Sequence, residues 1–138
     1  MPCLRPEHGA LLLALFALPG CPAQDGKERA EAARVSRAVD ALRAADNAKK
    51  PEFLQALREQ SCDEPEVCAV RSVCVAAYEL HVGSLESAAS AVTQAGDGGD
   101  PLAAASALGA AQTALDRARK LAEDCTRAQG DLIRHRRL

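Results

Sequence analysis

Aromatic side chains are nearly missing from these 138 residues: there is no tryptophan, one tyrosine and two phenylalanines. A core built around stacked rings is excluded, because rings supply the largest buried areas of any side chain. Long apolar runs are also scarce. The clearest spans residues 10–18, and these nine residues fall short of the ~20 that a helix needs to cross a bilayer core of about 30 Å. Neither charge sign dominates, with 17 Lys+Arg against 19 Asp+Glu and a net charge of −2. There is no basic run interleaved with aromatics, so nucleic acid is not an expected partner.

Catalytic and cofactor motifs are lacking too. The chain has no C-x-x-C redox pair, no C-x-x-C-H haem attachment and no GK[ST] phosphate loop, and Gly96–Asp100 lacks EF-hand spacing and reads as a turn. The acids Asp63 with Glu66 and Glu123 with Asp124 read as caps and solvated faces. No Ser/His/Asp or Cys/His nucleophile arrangement stands out. No catalytic residue, no cofactor and no enzymatic activity are therefore expected. Cys62, Cys68, Cys74 and Cys125 with His81 form a conceivable metal set. However, the first three are separated by five-residue gaps, whereas structural zinc sites favour about two to four. No metal is expected.

What the chain does have is alanine, 30 residues of it, and six cysteines. Alanine removes little apolar surface from water, so the core is thin, and cross-links are the usual remedy in a small chain. The apolar run at 10–18 sits behind a short head carrying Arg5, as in the h-region of an export signal. Directly after it stands Leu18-Pro19-Gly20-Cys21. This resembles the bacterial lipobox at Leu18, Gly20 and Cys21, with Pro19 where Ala or Ser is usual. The resemblance covers residues 1–21. It implies cleavage before Cys21, lipidation of that residue, and a membrane anchor of two or three acyl chains. With Pro22 rather than Asp following, it also implies sorting to the outer membrane. The alternative is ordinary cleavage after Ala23 and a soluble periplasmic or secreted protein.

The remainder reads as helices. Residues 21–26 form a short tether after the signal peptide of residues 1–20, residues 27–130 a helical domain, and residues 131–138 a basic tail. Over 27–47, Val35, Ala38, Val39, Leu42 and Ala45 follow the i, i+3, i+4, i+7 spacing of an amphipathic helix. Pro51 opens a short second helix to Gln60, with Phe53, Leu54 and Leu57 buried. Asp63-Glu64-Pro65-Glu66 starts a third running to Gln94. Its apolar stripe is Val67, Val70, Cys74, Ala77, Tyr78, His81, Leu85, Ala88 and Val92. After the break at Gly96–Asp100, a fourth runs from Pro101 to Gln129 and buries Leu108, Ala111, Leu115, Ala118, Ala122 and Cys125, with Leu132 beyond it. Short loops make successive helices antiparallel. The expected fold is all-α, a small up-down bundle of three to four helices stapled by two disulfides.

Four cysteines in an exported chain allow three connectivities. Cys68 and Cys74 lie six residues apart on one helix, about 9 Å in rise, too far for a bridge that needs Cα atoms within about 7 Å. For a hairpin turning near residue 98 or 99, Cys125 faces the level of residue 72. Cys74 with Cys125 and Cys62 with Cys68 is thus the preferred pairing, and Cys62 with Cys74 and Cys68 with Cys125 the competing one.

The function expected from these features is that of a lipid-anchored helical protein of the bacterial cell envelope. It would act by protein contact as an accessory or assembly factor on an envelope protein. The helix at 27–47 is its expected docking element, and the periplasmic or outer face of the outer membrane its expected place. The alternative is an envelope small-ligand binder, with Tyr78 and His81 lining a cavity between loosely packed Ala-rich helices.

Overall fold

The structure is a computed structural model and describes residues 22–138. It is all-helical over that range, with four helices and no strand among the described residues: α1 Pro22–Ala44, α2 Lys50–Arg58, α3 Pro65–Gly96 and α4 Pro101–Arg136. The expected signal peptide of residues 1–20, the lipobox-like segment and Cys21 lie outside the described residues.

Proline marks the start of the later helices, in the first turn of α2, α3 and α4, where its missing N–H costs no hydrogen bond. The α3–α4 turn uses glycine for two different reasons. Gly98 takes a left-handed φ of 81°, which a side chain disfavours. At Gly99 a Cβ would come within 2.5 Å of the Gln94 carbonyl oxygen, the acceptor of the Gly99 N–H. Asp100 then caps α4 by accepting from the Leu102 N–H at 3.0 Å.

α3 and α4 lie side by side with opposed chain directions. Glu66 meets His135 near one end, and Cys74 is bonded to Cys125 with Cα atoms 4.8 Å apart. The second disulfide joins Cys62 to Cys68 across the start of α3. Both are the pairs that hairpin register favours. Close approach of the helices rests on small side chains. Buried positions on α4 recur at every seventh residue, Ala104, Ala111, Ala118, Cys125 and Leu132, and on α3 at Val70, Ala77, Ser84 and Ala91. A strict seven-residue repeat keeps one seam facing its partner along a helix pair.

The apolar core occupies only one end of this pair. Ala32, Val35, Val39 and Leu42 of α1 and Leu54 and Leu57 of α2 pack with Val67, Val70, Cys74, Ala77 and Tyr78 of α3 and with Cys125 and Leu132 of α4. Past its last polar contacts with the α1–α2 side, Glu79 with Arg58 and His81 with Asn47, α3 continues beside α4 for about four more turns. This arm carries the exposed side chains Val92 (60%), Leu102 (81%) and Leu108 (39%).

Several expected features are corrected. α1 starts at Pro22, so residues 22–26 are its first turn and not a tether. It is already seated in the core through side chains that are fully buried, and is not free to dock elsewhere. Val92 and Leu108 were expected inside. The seven-residue repeat instead buries Ala91 and Ala104, because a 3.6-residue reading drifts off the seam over so long a helix. The basic tail is also not a tail: α4 runs to Arg136, whose guanidinium meets Glu28 at 2.6 Å, Glu64 at 2.8 Å and Glu66 at 3.2 Å. Burial works against the Arg136 charge. The hydrogen bond to Glu28 and the charges of Glu64, Glu28 and Glu66 outweigh it and raise the pKa.

Candidate functional site

Tyr78 and His81 do come together, at the fork where the body ends and the arm begins. α1 stops at Ala44, and Lys50 turns back to hold its end. The Lys50 Nζ donates to the carbonyls of Ala45 at 2.6 Å, Leu42 at 3.3 Å and Arg43 at 3.4 Å. These are carbonyls that a helix terminus leaves without intrahelical donors. Lys50 is buried, and its ammonium lies 5.8 Å from the centre of the Tyr78 ring, within range of a cation–π attraction. The Tyr78 and His81 rings stand edge to face, 6.4 Å apart. Asn47, in the α1–α2 connection, reaches the His81 Nε2 at 3.4 Å through its Oδ1.

Because α1 ends and α2 turns back here while α3 and α4 go on, and because Ala77, Ala118 and Ala122 are small, the space beside them is left open. It forms an open-sided cleft of about 480 Å³ lined by Lys50, Ala77, Tyr78, His81, Leu85, Gln112, Leu115, Ala118, Arg119 and Ala122. Other surface grooves of about 490–590 Å³ occur among the described residues, so it is the lining of this cleft, not its volume, that sets it apart. Five of the ten lining residues are aliphatic, and every charged or titratable lining group apart from the Tyr78 phenol is basic. Burial, and then repulsion from Lys50, hold the His81 imidazole below its ordinary pKa. Of the basic groups, Arg119 is the most exposed; it makes a 3.6 Å ion pair with Asp116 on its own helix.

Sequence reading named Tyr78 and His81 and did not name Lys50, Gln112 and Arg119, which the structure places beside them in the cleft lining. Lys50 was legible only as part of a helix stop. A lysine just past a helix end is a common partner for the last carbonyls, and that is the one signal that could have found it. Arg119 and Gln112 sit on the exposed side of α4 and carry no local signal. Cys62, Cys68, Cys74 and Cys125 are all consumed in disulfides. No group of three or more His, Cys, Asp or Glu side chains able to hold a metal ion occurs among the described residues.

The two disulfides point to an oxidising, extracytoplasmic compartment. No described helix is long and apolar enough to cross a membrane. No family model, curated protein or solved structure matches the chain.

Proposed function

We propose that this protein is an exported, lipid-anchored accessory or assembly factor of the bacterial cell envelope, an antiparallel helical bundle that acts by contact with another envelope protein. The observation that carries the reading is the α3–α4 arm. It extends past the stapled core, is surfaced with alanine, and exposes Val92, Leu102 and Leu108, whereas the large apolar side chains exposed at the body end are Ile133 and Leu138. Exposed apolar surface of this kind is where a contact region is sought. Anchoring at Cys21, in the outer membrane, would hold the body at the lipid surface and leave the arm to reach a neighbour.

Two measurements on the protein from its native host test this. Intact mass of the mature chain should show acylated Cys21 and the loss of four hydrogens to two disulfides. An unmodified chain starting at Gln24 would remove the anchor. A photo-crosslinker in place of Leu102 should capture a discrete envelope protein, and recovery of no protein adduct would remove the contact role. A second reading, a small-ligand binder, is favoured by the cleft at Tyr78 and His81.

A further inference from the structure

The cleft has a chemical character that narrows its ligand. Its walls are Ala77, Leu85, Leu115, Ala118 and Ala122, and its basic groups are Lys50, His81 and Arg119, with no carboxylate among the described lining residues. The whole chain is slightly acidic, so a pocket with only basic charges is not a reflection of composition. Lys50 adds to this. It is buried, and its hydrogen-bond partners are three carbonyls rather than a carboxylate. A cation fixed in place without a negative partner projects its field into the adjoining cleft, where low-dielectric walls strengthen it.

We propose that the cleft binds a small amphipathic anion, with its apolar body against the α3 and α4 aliphatic side chains and its carboxylate or phosphate head at Arg119 and His81. Deepening the ligand-binding reading of the same site, this assigns the class of molecule it takes. Arg119 supplies the adaptable contact. Its guanidinium fork matches an oxyanion in two-point fashion, and its long exposed side chain is free to swing from Asp116. Lys50 sets the potential without leaving its carbonyls. The Cys74–Cys125 disulfide joins the two walls one turn below Ala77, Tyr78 and Ala122 and fixes their spacing there.

The protein carries its own reporter, since Tyr78 is the only tyrosine and there is no tryptophan. Its fluorescence should change saturably when oxidised full-length protein is titrated with decanoate, and equally with decyl phosphate. Decanol and decyltrimethylammonium, with the same chain but no anionic head, should bind at least about tenfold more weakly. The variant Arg119→Gln, at an exposed position, should weaken decanoate by about five- to tenfold with its circular dichroism unchanged, and Ala122→Met should weaken all four probes by filling the cleft. Vesicles rich in phosphatidylglycerol separate a free ligand from a membrane lipid: the Tyr78 signal should respond to dissolved decanoate and not to vesicles. A response to vesicles alone would overturn the small-ligand assignment. Tighter binding of decanol or of the cation would leave a ligand site but overturn its anionic class. No saturable Tyr78 response to any probe would overturn the ligand reading itself.

Discussion

Two side chains join elements that are far apart in sequence, and each does so by chemistry that a substitution can isolate. Glu31 is buried on α1, yet its carboxylate accepts from the backbone N–H groups of Asp63 at 2.6 Å and Glu64 at 3.1 Å. The start of α3 has no side-chain cap of its own, so α1 supplies the acceptor. Hydrogen bonds to a charged group are worth roughly 1.5–3 kcal/mol. Glu31→Ala should therefore lower the unfolding free energy by about 2 kcal/mol in urea titration. Glu31→Gln, which keeps an acceptor oxygen, should cost less. Gln129 does comparable work between α4 and α1, donating to the Ser36 carbonyl at 3.1 Å and to Asp40 at 2.9 Å while accepting from Arg43 at 2.8 Å.

His81 gives a pH dependence whose sign follows from its surroundings. Burial and the nearby Lys50 lower its pKa in the folded protein, so the unfolded chain binds its proton more readily. Stability is then full above the ordinary imidazole pKa of about 6.5 and falls as pH drops through it toward the lower folded value. His81→Gln should lose that part of the slope. The check is the difference in melting temperature between pH 7.5 and 5.5, which should be smaller in the variant than in the parent; equal differences would show that His81 titrates alike in both states.

At the scale of elements, the disulfides and the arm divide the stability unevenly. On the chain-entropy account, the 51-residue separation of Cys74 and Cys125 corresponds to roughly 4 kcal/mol, and the small loop of Cys62 and Cys68 to roughly 2 kcal/mol. These are large beside a typical domain stability of about 5–15 kcal/mol. Reduction of both should largely unfold the domain, read as loss of the helical circular dichroism signal near physiological temperature. An unchanged melting temperature would show that the core suffices alone. The arm has two helices and small seam residues only. Its amides, in residues 84–96 and 101–115, should exchange with solvent at least about tenfold faster than those of Val70 or Leu132 in the body, as measured by hydrogen-exchange mass spectrometry.

The molecule as a whole is a short, stapled body with a long two-helix arm, and a basic cleft lies at their junction. This asymmetry arises because α1 and α2 together are about as long as α3 alone, and their apolar side chains end at the level of Tyr78. Spacing located the four helices, since an amphipathic repeat and proline or glycine punctuation act within a few residues. The cysteines likewise carried the compartment and ruled out a bridge between Cys68 and Cys74, because a bridge tolerates only a narrow Cα separation; hairpin register favoured one of the two remaining pairings, and the structure decided between them. What remained hidden was every feature made by residues distant in sequence. Glu31 reads as a surface acid until α1 is laid beside the start of α3, and Arg136 as a frayed terminus until Glu28, Glu64 and Glu66 surround it. Lys50 reads as a helix stop until Tyr78 lies beneath it. Sequence alone thus determined where the chain is helical and which cysteines staple it, through local geometry and covalent chemistry. Only the tertiary structure decided which charges are partnered, where the core ends and that a cleft opens there, because those depend on which helices stop and which continue at the same level in space.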